Sequence, residues 1–87
     1  MAIKGMDVEG GRQAASQITQ GMQELEALSG RLTQSIKSFD WVGPDADRTR
    51  STWDTDYMAM LRQVGGALQD FSTLIQTQAQ DQEQVSA

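Results

Sequence analysis

Three pairs of carboxylates are the groups in this chain best placed to do chemistry: Asp45 and Asp47, Asp54 and Asp56, Asp81 and Glu83. Neighbouring carboxylates can clamp a divalent cation or divide acid and base roles between them. Each pair is spaced i, i+2, and on a helix such residues do not face each other. They read as solvated helix faces. The chain has no histidine and no cysteine. That removes the commonest general base, the commonest metal ligand and any thiolate or disulfide site. Serines and threonines are plentiful, but no histidine stands ready to activate them and no Ser-x-x-Lys pattern occurs. No glycine-rich phosphate loop follows a strand, because no strand pattern exists. Met22, Met58 and Met60 could line a plastic binding groove. Core filling is the simpler account of Met22 and Met60, and Met58 falls off both apolar stripes and is expected to be exposed. The residues thus point to a protein that is not an enzyme, with no cofactor and no metal.

What remains is shape. Eighty-seven residues, 38% of them hydrophobic, make one small domain that buries little by itself. A net charge of −5 disfavours nucleic acid and anionic lipid as partners. No apolar run reaches membrane-spanning length, so stable membrane insertion is not expected. Met1 to Gly11 carries no apolar segment of the signal-peptide kind. The expectation is a chain that stays in the cytoplasm or leaves by a route without signal cleavage.

The elements are organised around Trp41-Val42-Gly43-Pro44. Gly43 tolerates backbone conformations other residues resist, and Pro44, the only proline, suits a helix's first turn. These residues predict the bend of an αα-hairpin. Before it, Met1 to Asp7 reads as a frayed lead-in with Asp7 as N-cap. A first helix is predicted from about Val8 to Phe39. Its a positions are Val8, Ala15, Met22, Ser29 and Ile36, and its d positions Gly11, Ile18, Leu25, Leu32 and Phe39. A g stripe adds Ala14, Gly21, Leu28 and Ser35. After the bend, a second helix is predicted from about Asp45 to Gln80, followed by a flexible tail, 81–87. Its d positions are Ala46, Trp53, Met60, Ala67 and Leu74, and its a positions Arg50, Tyr57, Val64, Phe71 and Gln78. An e stripe holds Leu61, Leu68 and Ile75. Spacings of three and four held this long define a bundle seam.

Each helix therefore carries more apolar surface than one hairpin contact uses. Either the extra stripe widens that contact, or it needs a surface from another chain, most simply a second hairpin completing a four-helix bundle. Gly65 and Gly66 fall at b and c, facing away from the main seam, and mark a kink or the close approach of another chain. Trp41 is either a lid fixing the hairpin angle or a recognition element at the bundle tip. Trp53 is placed on the seam.

Two long helices joined at Trp-x-Gly near the middle of a chain this short resemble the WXG-motif proteins, the early-secreted-antigen-like (ESAT-like) substrates of type VII (ESX) secretion. The resemblance spans nearly the whole chain. It rests on Trp41 and Gly43, on Ala46 and Trp53 at the spacings that follow the motif, and on the heptads. It implies an all-α antiparallel hairpin with a Trp-x-Gly turn, paired as a homodimer or as a heterodimer with a family member. It also implies export without signal cleavage, a secreted location, and recognition by a membrane-bound secretion ATPase. The family's C-terminal Tyr-x-x-x-Asp/Glu signal is not matched. Asp81 and Glu83 are preceded at four residues by Thr77 and Ala79, and the only tyrosine, Tyr57, lies inside the second helix. Either a paired chain carries the signal, or a degenerate tail with Thr77, Asp81 and Glu83 suffices. The alternative to a secretion substrate is a cytoplasmic helical adaptor or coiled-coil subunit, which gives Trp41 no role.

Overall fold

In the computed structural model, residues 5–86 are described, with no side-chain description for Ser86; residues 1–4 and 87, which include most of the expected frayed lead-in, lie outside them. The described chain is helical apart from two short segments, Gly5–Asp7 and residues 39–43. Helix α1 spans Val8–Ser38, α2 spans Pro44–Thr52 and α3 spans Met58–Ser86. A single π turn, Trp53–Tyr57, joins α2 to α3. The chain thus folds into a long antiparallel hairpin, 67 × 16 × 16 Å. The second arm continues as helix to Ser86, past the end expected near Gln80. Contacts to α1 hold that end: Ala79 is fully buried, and the Arg12 guanidinium grips Glu83 through both carboxylate oxygens at 3.1 and 2.9 Å.

Local signals explain the helix ends. The Asp7 side chain accepts a hydrogen bond from the Gly10 amide at 3.1 Å and starts α1. Residues 39–43 reverse the chain. Gly43 has φ 123°, a conformation that an L side chain would strain, and Pro44 follows in the first turn of α2. Asp45 and Asp47 sit in that turn, where the helix dipole favours negative charge.

The seam between the arms is built from small residues. Ala15, Ser29, Ala46, Ser72 and Ala79 are its buried members. Among the described residues no bulky side chain is fully buried. The Ser72 hydroxyl donates to the Ala15 carbonyl at 2.9 Å and lies 3.0 Å from the Thr19 hydroxyl. Ser29 returns its hydroxyl to the Leu25 carbonyl at 2.7 Å. Every buried side-chain polar atom among the described residues has a partner. Small side chains let the axes approach, and the hydroxyls meet their hydrogen-bonding needs within the seam.

The π turn changes which stripe of the second arm faces α1. Up to Trp53 the seam uses Ala46, Arg50 and Trp53, the a and d positions expected. The Met58 amide then reaches back five residues to the Trp53 carbonyl, and the extra residue rotates everything after it. The seam continues through Met58, Leu61, Gly65, Leu68, Ser72, Ile75 and Ala79, all buried or half-buried. Three sequence readings are corrected by this. The e stripe, with b, supplies the hairpin contact beyond the π turn, and a and d do not. Gly65 faces α1, with Met22 Cγ 3.9 Å from where a Cβ would stand. Met58 is half-buried against Thr33, whose hydroxyl lies 3.5 Å from its sulfur.

Candidate functional site

Rotating the second arm leaves its bulkiest stripe unused. Tyr57, Met60, Val64, Phe71 and Leu74 are each about half exposed, as are Leu28 and Leu32 on α1 and Phe39 just past its end. Helical geometry places the two sets on the same side. Each residue advances about 100° around the axis. Measured from the buried Ser29, Leu28 and Leu32 lie roughly a sixth to a quarter of a turn away. Measured from the buried Ser72, Val64 and Phe71 lie roughly a quarter turn away in the same sense. The arms run antiparallel, as the Arg12–Glu83, Thr19–Ser72 and Thr33–Trp53 contacts require. Equal rotation in antiparallel helices leads to one common face. That face carries Leu28, Leu32, Tyr57 and Met60 towards the connection, and Phe71 beside the small Ala14 and Gly21 towards the open end.

The opposite face holds a groove of about 560 Å³. Its floor is Met22, Leu25, Met58 and Leu61, and its walls are lowered by Gly30 and Gly66. A Cβ at either glycine would meet nothing within 4 Å. Of the methionine set that the sequence raised, Met22 and Met58 line this groove and Met60 does not.

At the hairpin's closed end, Trp41 is half-buried and stacks on Phe39, with ring centroids 5.8 Å apart and planes 15° apart. Val42 beside it is 88% exposed. One residue that sequence reasoning placed merely on the seam organises this end. Arg50 donates from Nε to the Ile36 carbonyl at 3.0 Å, from Nη1 to Trp41 at 2.8 Å and from Nη2 to Phe39 at 2.8 Å. Its guanidinium carbon stands 5.3 Å from the Phe39 ring centroid and 5.9 Å from that of Trp41. A charged residue at an a position, one arm away from a helix C-terminus, was the available signal.

Trp53 donates from Nε1 to the Thr33 hydroxyl at 2.8 Å and stacks on Tyr57 at 5.9 Å. Ile18, Leu25, Leu61 and Leu68 are half-buried in the hairpin seam. Leu28, Leu32, Tyr57, Val64 and Phe71 belong to the exposed face instead. Thr77 and Asp81 are exposed on α3, whereas Glu83 is held by Arg12. That hydrogen bond first, and the guanidinium charge second, hold the Glu83 carboxyl below its ordinary range. Asp45 pairs with Arg48, and Asp54 with Lys37 at 2.9 Å. Among the described residues no group of three or more acidic side chains converges as a metal site would need. None of the described helices is long and apolar enough to cross a membrane.

Comparisons of the chain with family models, with curated proteins and with solved structures give no match.

Proposed function

We propose that this chain is a non-enzymatic helical-hairpin subunit that pairs through its exposed apolar face into a four-helix bundle. The observation that carries this reading is a hairpin with no bulky core of its own and two apolar stripes on one side. Its surface supports it. The chain exposes 6480 Å², where a compact monomer of 9.6 kDa exposes roughly 5,100 Å². The excess is of the order that one partner contributes to a stable protein interface, about 800 Å² or more. Tyr57, Phe71 and Met60 supply the aromatic and methionine side chains such interfaces favour.

The cellular role proposed is that of a type VII secretion substrate or secretion partner, exported without a cleaved signal. It is supported by the resemblance carried by Trp41, Gly43, Ala46 and Trp53. With Glu83 engaged by Arg12 and Thr77, not a tyrosine, four residues before Asp81, the secretion-ATPase signal is proposed to lie on a paired chain. The test has two parts. Light scattering on the purified chain should give twice the 9.6 kDa mass, or the mass of a heterodimer once the paired chain is added. A compact monomer in both samples would overturn the pairing. Trp41→Ala should then lower the amount in culture supernatant of a type VII-competent host more than it lowers helicity. Wild-type chain confined to the cytoplasm, with its partner present, would favour the adaptor reading instead.

A further inference from the structure

We infer that Arg50 is the positioning residue for Trp41: it locks the connection between the arms so that Trp41 is presented in one fixed orientation. The inference rests on the proposed role of Trp41 in recognition and adds a second residue to that site.

The geometry is specific to a guanidinium. Helix α1 ends at Ser38, so the carbonyls of its last turn have no intrahelical partner, and the helix dipole places partial negative charge there. Arg50 answers this from the other arm. Three of its N–H groups reach three different carbonyls, those of Ile36, Phe39 and Trp41. The first lies in the last helical turn and the third belongs to the tryptophan itself. The planar fork thus ties the helix end, the first extended residue and Trp41 to a single point on α2. The two aromatic rings lie near the guanidinium and stack on each other. Gly43 then turns the chain at φ 123°. Trp41 is fixed at its backbone by Arg50, at its ring by Phe39, and two residues downstream by a glycine turn. A lysine ammonium is a point charge on a flexible stem and cannot hold three divergent carbonyls while remaining stacked.

A preformed tip has a functional consequence. A tryptophan already held in its binding orientation loses little freedom on docking, whereas a tryptophan on a loose connection must be ordered by the partner. The arrangement asks nothing of the exposed apolar face. Arg50 acts on the tip, and pairing uses the surface from Leu28 to Phe71.

The experiment labels the chain with 5-fluorotryptophan and follows the two fluorine resonances, assigned with Trp41→Phe. Arg50→Lys and Arg50→Gln should move the Trp41 resonance towards that of free tryptophan and leave the Trp53 resonance in place. Helicity and paired mass should match wild type. Export should fall by at least half as far as in Trp41→Ala. A Trp41 resonance unmoved by Arg50→Lys would overturn the inference, as would a collapse of helicity in both variants, which would make Arg50 a folding residue. A moved resonance with normal export, while Trp41→Ala is blocked, would also overturn it. Normal export of Trp41→Ala is a different failure. It would remove the recognition role from Trp41, while the fluorine spectrum would still decide whether Arg50 holds it.

Discussion

Phe71 gives the sharpest test of the exposed face. It is 55% exposed on the hairpin, and a phenylalanine side chain buries 150–250 Å² when fully covered. About 110 Å² therefore remains for a partner to cover, worth about 2.7 kcal/mol at 25 cal/mol per Å². Alanine keeps a small part of that area, so Phe71→Ala should weaken pairing by about 2 kcal/mol per copy of the residue at the interface. Since 1.4 kcal/mol is tenfold, the dissociation constant of a heterodimer should rise about 30-fold. A homodimer carries the change twice and should weaken about 1,000-fold. Sedimentation equilibrium over a concentration series reads both values, and the size of the effect distinguishes the two kinds of pair. Leu68→Ala is the contrasting variant. Leu68 lies in the hairpin seam, so its loss should lower the melting temperature of the whole assembly even at saturating concentration. An unchanged dissociation constant for Phe71→Ala would refute the assignment of the exposed stripe as the pairing surface.

Three further outcomes are expected. Gly43→Ala places a side chain at φ 123°, which costs about 1–3 kcal/mol; a melting temperature within a degree of wild type would show that the turn relaxes freely. Glu83 should titrate below the ordinary glutamate range, because Arg12 lowers its carboxyl pKa in the folded chain. The stabilisation from that pair is present above the unfolded value and lost as pH falls through the lower folded value, so the α3 end should loosen in acid. Carbon-13 titration of the Glu83 carboxyl checks this, and Arg12→Gln should return it to the ordinary value; a normal native value in wild type would count against the pair. Deleting Thr55 should convert the π turn to regular α-helix and bring Met58, Leu61 and Gly65 into unbroken continuity with Trp53. Helicity and paired mass should persist, and loss of either would show that the extra residue does more than fill the turn.

The start of α1 and the connection were legible in the sequence because single residues determine them. Asp7 can cap, Gly43 can take a positive φ, and Pro44 can begin a helix but not continue one. The heptads were legible too, since spacing alone reveals them. Which stripe faces which surface was not. From Tyr57 onwards the second arm offers two stripes one residue apart. One is bulky, with Tyr57, Val64 and Phe71; the other is smaller, with Leu61, Gly65, Leu68, Ser72 and Ala79. Hydrophobicity favours the first as the hairpin contact. The structure uses the second, because small residues bring the arms close enough for Ser72 to reach the Ala15 carbonyl. The available clue was the spacing of Gly65, Ser72 and Ala79, seven residues apart, opposite the small Gly11 and Ala15 of α1.

The π turn is what makes both stripes usable. A regular helix from Ala46 to Ile75 would keep one line of residues against α1, and the line through Trp53 continues into Tyr57, Met60 and Val64. The extra residue between Trp53 and Met58 lets Trp53 keep its hydrogen bond to Thr33 while Leu61 enters the seam. Single π turns inside α-helices are uncommon, and many lie at functional sites. Here the consequence is geometric. Close to the connection, the second arm packs on α1 through large residues, Arg50 and Trp53, and the tip is locked. Beyond the turn it packs through small ones, and the large apolar residues rotate outward onto the face shared with Leu28 and Leu32. One inserted residue thereby separates a self-contained tip from an arm whose bulky apolar residues stand exposed on the hairpin, and Trp53 is the last residue that serves the first arrangement.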